Sequence, residues 1–243
     1  MSRRIDILTL FPELFAPFLS TSIPKRAAEK QLVTYHLTNI RAYAHDARGT
    51  VDDKPFGGGP GMVLLAPVVS EAVEAVEAQD PRPARRILLT PAGRPYTQAL
   101  AEELAAEDRL LLIAGHYEGF DERIVEELAP TEISIGDYVL SGGELPAMVL
   151  VDSVVRLYPG AIGAEEGTAD ESFAGGLLEP PQYTRPRTWR GRDVPEVLTG
   201  GDHGRIAKWR HEQRLERTRD RRPDLLETDA PDPTPALTPA RQA

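Results

Sequence analysis

The chain has 243 residues, 41% hydrophobic and 27% charged, enough for one substantial core and a smaller second one. No apolar run reaches membrane-spanning length, so no membrane partner is expected, and Met1-Ser2-Arg3-Arg4 leads into a strand-like segment, not a signal peptide. Cysteine is absent, which excludes disulfides, zinc–thiolate sites and a cysteine nucleophile and suits a reducing cytoplasm; the formal net charge of −10 argues on its face against a nucleic-acid partner.

Arg4 to Leu10 reads as a strand, followed by a helix over Pro12 to Leu19 with Pro12 in its first turn. Leu32 to Asn39, LVTYHLTN, alternates and is rich in β-branched residues, which suits a second strand. Arg41 to Pro60 is polar, glycine-rich and too long for a simple turn, so it is functional or mobile. Val69, Ala72, Val73 and Val76 fall at helical spacing with Glu71, Glu74 and Glu77 opposite them. Arg86 to Thr90 is the next strand, and Ala99, Leu100 and Leu104 mark the following helix. Leu110 to Ala114 is nearly all apolar, as a strand covered on both faces must be. Glu122 to Leu128 is predicted as a short helix and Glu132 to Leu140 as a strand. Pro146 to Tyr158 then forms a helix closed by Pro159-Gly160. This alternation predicts an α/β fold, a mostly parallel sheet with helices on both faces.

Residues 1–160 therefore read as the main domain. From Ala161 to Ala174 the pattern dissolves into Gly, Ala, Thr and acids, an interdomain linker. A small helical region follows over 175–226, ending in a helix from His203 to Arg222 with Ile206, Trp209 and Leu215 as its thin apolar stripe. The tail, 227–243, carries prolines and little apolar mass, so disorder is expected there. Charge is segregated: Tyr183 to Arg222 holds 12 Lys/Arg against 6 Asp/Glu, a net of +6, which leaves −16 for the remainder. A basic block on an acidic body fits an anionic partner, although a solvated charged helix would look the same.

Three glycine-bearing loops stand out: Gly57 to Met62, Gly115 to Gly119, and Gly142-Gly143 at the end of ISIGDYVLSGGE. Turns need glycine in any protein, but two of these loops directly follow strands, where open α/β sheets bind ligands. No G-x-G-x-x-G follows the first strand and no Walker sequence occurs, and apart from Lys54 the loops lack cations for phosphates. An adenosine moiety suits them better than a polyphosphate. Glu118 and Glu144 are positioned for an amine or sulfonium, or else cap helix starts.

The chain resembles the bacterial tRNA (guanine-N1)-methyltransferases, members of the knotted class of methyltransferases. The resemblance runs from Ile5 to about Leu226 and is carried by LTLFPE (Leu8 to Glu13), DDKPFGGGPGM (Asp52 to Met62), GHYEGFDER (Gly115 to Arg123), SIGDYVLSGGELPAM (Ser134 to Met148), YPG (Tyr158 to Gly160) and YTRP (Tyr183 to Pro186). It implies a deep trefoil knot, a topology close to absent among proteins and invisible to periodicity. It implies S-adenosyl-L-methionine as methyl donor, held by Pro60, Gly61, Leu88, Leu89, Thr90, Pro91, Gly115, Glu118, Ile135, Gly136, Asp137, Tyr138, Val139, Leu140, Gly142, Gly143 and Glu179, with no metal ligand. The methyl acceptor is then N1 of guanosine 37, the base 3′ of the anticodon in tRNA.

The resemblance also implies a carboxylate base and makes Arg156 the cation that stabilises charge on O6. The base departs from the family pattern, which has Asp directly before Ser-Phe; here Asp170-Glu171 precede Ser172-Phe173. Gapless alignment favours Glu171, and Asp170 serves if the loop shifts by one residue. Substrate contacts fall to Tyr183, Arg185, Trp189 and Arg190, with packing as the alternative role for Trp189 and Trp209. The family works as a homodimer whose active site is shared between subunits. A knotted methyltransferase with another RNA target would need no carboxylate beside Ser-Phe, and the basic C-terminal block argues against it; an intact Arg156 and an acid at 171 argue against a non-catalytic RNA-binding module.

Overall fold

In the computed structural model, residues 2–162 and 171–226 are described. The chain splits into two compact units, Met1–Gly163 and Ala164–Ala243.

The first unit opens with β1 (Arg3–Thr9), α1 (Phe15–Leu19), α2 (Ser22–Glu29) and β2 (Val33–Asn39). The small strands β3 (Asp52–Asp53) and β4 (Val63–Leu64) pair antiparallel, and α3 (Ala66–Glu77) and β5 (Arg85–Pro95) follow. Then come α4 (Gln98–Ala105), β6 (Arg109–Ala114), α5 (Glu122–Leu128), β7 (Thr131–Ser134) and α6 (Glu144–Val155). The five long strands form one sheet in the order β2-β1-β6-β5-β7, and every pairing in it is parallel. The α/β architecture expected from the alternating pattern is the one observed.

The periodicity of β6 explains the layering. Leu110 and Leu112 point to one face, where they join Ile5, Ile7 and Ile87 beneath α2, α4 and α6. Leu111 and Ile113 point to the other, where they pack with Leu8 and Leu88 under Val69, Val73 and Val76 of α3 and Ile124 of α5. All of β6 is buried, the condition its continuous apolar run required.

The Pro12–Leu19 helix is broken: Pro12–Leu14 is a 3-10 turn and α1 begins only at Phe15. Pro17 has no N–H for the Glu13 carbonyl, so one α-helix across both is not available. The helix α2, SIPKRAAE, has no counterpart in the sequence reading, because Pro24 interrupts an already short pattern. The strand expected over Glu132 to Leu140 also stops early. It pairs with β5 only as far as Pro95 opposite Ser134, where its partner turns away into the Thr97 cap of α4. Ile135 onward, including Gly136 at φ 148°, leaves the sheet.

One end of the sheet is held by buried charge. Arg109, at the start of β6, donates to Asp6 Oδ2 at 2.9 Å and to the carbonyls of Val76, Glu77, Asp80 and Arg82 at 2.7–3.2 Å. Two of those carbonyls, Val76 and Glu77, belong to the last turn of α3, whose acceptors have no partners within the helix. Arg4 binds Asp6 from the other side at 2.7 Å.

The second unit is small. Strands β8 (Thr188–Trp189) and β9 (Arg192–Asp193) form a tight hairpin, and α7 (His203–Arg221) starts at Asp202, whose carboxylate accepts the Arg205 N–H at 3.0 Å. Ile206, Trp209 and Leu215 are half-buried, and Thr218 is fully buried, accepting the Leu178 N–H at 2.9 Å. Most of the linker expected at 161–174 and all of the tail at 227–243 lie outside the described residues. Among the described residues no helix is long and apolar enough to cross a membrane.

Arg109→Ala is expected to lower stability by about 3–5 kcal/mol, since it removes a buried charge partner and the donor to four carbonyls. Urea unfolding measures this, and a loss below about 1 kcal/mol, the size of a surface pair, contradicts the structural role.

Candidate active site

Strands β6, β5 and β7 lie side by side, and the segments that interrupt or follow them enclose a cavity of about 360 Å³. It stands outside the carboxyl ends of parallel strands, where open α/β sheets place ligands.

The first wall is a bulge. Leu89 and Arg94 of β5 both pair with Ile133, so the residues between them are pushed out of the sheet, and Thr90, Pro91 and Ala92 reach the cavity. Gly93 makes this possible, because a Cβ there would lie 2.4 Å from the backbone nitrogen of Ile133.

The second wall is the Gly115 to Phe120 loop after β6. The β3–β4 hairpin props it: Glu118 N–H donates to Met62 O and Leu64 N–H to Gly119 O, both at 2.9 Å. Asp121 closes the loop by capping α5 through the Arg123 N–H. The Arg123 guanidinium, hydrogen-bonded to Asp121, holds that carboxyl down at about 2.

The third wall is Ile135 to Gly143, the stretch that leaves the sheet after β7. It returns along the second wall through a bridge between His116 and Gly142, with Gly143 N–H donating to Gly115 O at 2.7 Å. The approach is close. A Cβ on Gly143 would lie 2.8 Å from Ala114 Cα and 2.9 Å from Gly115 N, backbone atoms that cannot yield.

The lining charge has one sign. Glu118, Glu122 and Glu132 line the cavity, and among its lining residues there is no Lys or Arg. Leu88, Leu89, Ile133, Ile135, Val139 and Leu140 supply apolar surface. Such a cavity suits a partly apolar, cationic ligand and disfavours a polyphosphate. Glu144 is not part of the lining: 4% exposed at the start of α6, it accepts the Thr9 hydroxyl at 2.8 Å.

Of the residues singled out in the sequence, Leu88, Leu89, Thr90, Pro91, Gly115, Glu118, Ile135, Gly136, Tyr138, Val139, Leu140, Gly142 and Gly143 line the cavity together. Pro60, Gly61 and Asp137 do not line it, although a Cβ on Gly61 would meet Glu118. Arg156 is the residue that ends α6. Glu171 and Glu179 belong to the second unit, where Glu179 N–H donates to Ser172 Oγ at 3.1 Å, and Asp170 lies outside the described residues. His116, Tyr117, Phe120, Ala92 and Ser134 line the cavity without having been singled out as binding residues. For His116, Tyr117 and Phe120 the signal was position, within or directly beside the Gly115–Gly119 turn; Ala92 sits in the β5 bulge and Ser134 ends β7.

In the second unit Trp189 is 57% exposed with the Arg190 guanidinium 4.9 Å above its ring, a platform at the β8–β9 turn. Tyr183 is also exposed, its ring 6.4 Å from that of the half-buried Trp209. Arg185 is exposed as well. Among the described residues no three His, Asp or Glu side chains gather as a metal site.

A family model described as tRNA (Guanine-1)-methyltransferase TrmD matches residues 3–228. A tRNA (guanine-N(1)-)-methyltransferase of Moorella thermoacetica is 57% identical over 227 residues, covering 92% of this chain and 90% of that protein. Proteins with the same name from Geobacillus kaustophilus and Dehalococcoides mccartyi are 58% and 54% identical over 224 residues; both alignments cover 92% of this chain, with 91% and 90% of the respective relatives.

Gly143 has φ −83°, so alanine there is opposed by contact and not by backbone conformation. Gly143→Ala is expected to cost about 1–3 kcal/mol from overpacking. Urea denaturation reads this out, and an unchanged midpoint contradicts the close approach.

Proposed function

This chain belongs to the tRNA (guanine-1)-methyltransferase family, and we propose that it methylates N1 of guanosine 37 in tRNA with S-adenosyl-L-methionine as donor. The observation that carries the donor assignment is the cavity itself, walled by glycine backbone and apolar side chains and lined by carboxylates without a cation. Its volume of about 360 Å³ lies within the range of small-molecule sites, and its chemistry fits an adenosine joined to a sulfonium and an amine. When bound, the donor supplies an electrophilic methyl group.

The protein's residues must supply the rest. Neutral guanine carries a proton on N1, so a base has to remove it as the new bond forms. We assign that role to Glu171, with Asp170 as the alternative. As N1 loses its proton, negative charge gathers on O6, and a fixed guanidinium lowers the energy of that state; Arg156 is assigned there. Glu118 faces the cationic end of the donor, and Pro60, Gly61, Asp137 and Glu179 complete the donor contacts.

Tyr183, Arg185, Trp189 and Arg190 are proposed as tRNA contacts. The exposed Trp189–Arg190 pair supports this, since unstacked bases bind to aromatic and guanidinium planes. We further propose a cytoplasmic homodimer whose active site draws residues from both chains. The apolar stripe of Leu145 and Val149, exposed on α6, supports a subunit contact. The trefoil knot that the resemblance implies is part of the same reading. On this reading 1–160 is the catalytic domain, 161–174 the linker, 175–226 the tRNA-binding domain and 227–243 a tail.

The test uses radiolabelled S-adenosylmethionine and tRNA transcripts that differ only at the base 3′ of the anticodon. Label is expected in the guanine transcript and not in the adenine one; equal labelling, or none, overturns the proposal. Glu171→Gln should lower the single-turnover rate about a hundredfold or more, the usual contribution of a general base, and Asp170→Asn much less. The reverse ranking moves the role to Asp170.

A further inference from the structure

His116 and Glu144 take no part in the chemistry described above, yet both meet the glycine wall of the cavity. His116 lines the cavity, but its Nδ1 is buried and has no hydrogen-bond partner. Glu144 Oε2 stands 3.8 Å from that nitrogen, just outside bonding reach. Glu144 is held from behind, since its Oε1 accepts the Thr9 hydroxyl at 2.8 Å and Thr9 Oγ1 in turn accepts the Phe11 N–H at 3.0 Å. The imidazole is held too, edge-on to Phe11 and Tyr117 with ring centres 4.9 and 5.1 Å away.

Gly142 lies between the two groups. A Cβ placed on it would sit 2.3 Å from Glu144 Oε2 and 2.5 Å from His116 Nδ1. His116 is bridged to Gly142, and Glu144 directly follows Gly143 at the start of α6, so a shift of this wall relative to the end of β6 changes the His116–Glu144 separation. A buried imidazole nitrogen that misses a buried carboxylate by a small margin is costly to leave unbonded, and a charge-assisted bond there is strong.

We propose that His116 is a positioning residue for the methyl-donor site. When the cavity is filled, its Nδ1–H closes onto Glu144 Oε2 and clamps the Gly142–Gly143 wall against the end of β6. Because the bond forms only in the filled state, its free energy appears as donor affinity. The inference rests on the reading of this cavity as the S-adenosylmethionine site. It also explains why Glu144 is an acid when a simple helix cap would do: its second oxygen is the clamp's acceptor.

The test is calorimetric titration of the full chain with S-adenosylhomocysteine, comparing wild type, His116→Phe, His116→Asn, His116→Gln and Glu144→Gln. Asparagine places an amide N–H where Nδ1 stands, whereas glutamine places one where Nε2 stands. His116→Phe keeps an aromatic edge for Phe11 and Tyr117 and should weaken binding about tenfold, the worth of one buried bond to a charged group. His116→Asn should stay within about threefold of wild type and His116→Gln should resemble His116→Phe. His116→Phe combined with Glu144→Gln should bind no worse than His116→Phe alone, because the two act as one unit. tRNA affinity should be the same throughout. Equal binding by the Asn and Gln variants, or additive losses in the double variant, overturns the clamp. If His116→Phe lowers the thermal midpoint enough to confuse its titration, the Asn and Gln variants decide by themselves. Wild type that does not bind S-adenosylhomocysteine overturns the donor reading itself, a failure distinct from a clamp that proves absent.

Discussion

The candidate site depends on two stretches of backbone running against each other at the end of β6. Gly143 N–H reaches Gly115 O at 2.7 Å, and no side chain fits on Gly143 between them. That contact turns the segment after β7 back over the sheet and makes it a wall of the cavity. Gly93 does the same service in β5, where backbone meets backbone at Ile133 and the Thr90–Ala92 bulge is forced outward. The pocket is thus shaped mainly by main chain. This suits recognition of a ligand through carbonyls and N–H groups, with few charged side chains at hand.

The buried ionic cluster and the candidate cavity stand at opposite ends of the parallel sheet, with β6 common to both. At the amino ends, Arg109, Asp6 and Arg4 form a buried ionic cluster that ties β1 and β6 to the end of α3. At the carboxyl ends the chain breaks into glycine turns, and the charge exposed to the cavity belongs to Glu118, Glu122 and Glu132. The nearly continuous apolar run of β6 joins the two ends and carries both hydrophobic layers. A strand buried on both faces is hard to displace, so the groups at its end are well placed to hold a ligand in fixed geometry.

Much of this was legible in the sequence, for reasons that can be named. The 3.6-residue spacing of α3 and the apolar run of β6 gave both elements within a few residues, because each is decided by its own burial pattern. Elements decided by their neighbours were not legible. The strand expected from Glu132 to Leu140 ends at Ser134 because its partner strand ends there, and no property of Ile135 to Leu140 says so. The bulge of β5 was not read from the sequence, because which strand Gly93 would face is a tertiary fact. Gly115, Glu118, Ile135, Gly136, Tyr138 to Leu140, Gly142 and Gly143 were legible as cavity lining through the glycine turns and the family resemblance, whereas Asp137 was expected there and does not line it. His116 was not, since its distinction is a missing partner, visible only once Glu144 and Gly142 stand beside it. The exposed Trp189 and half-buried Trp209 likewise look alike as letters and differ only in what surrounds them.

The central claim is that the glycine-walled cavity at the ends of β5, β6 and β7 receives the methyl donor. A crystal structure of the full chain grown with S-adenosylhomocysteine tests it most directly. The account predicts adenosine density between the Thr90–Ala92 bulge and the Ile135–Leu140 segment, with the homocysteine end toward Glu118. Clear density for the ligand elsewhere, such as beside Arg82 and Arg86 at the opposite end of the sheet, would contradict it.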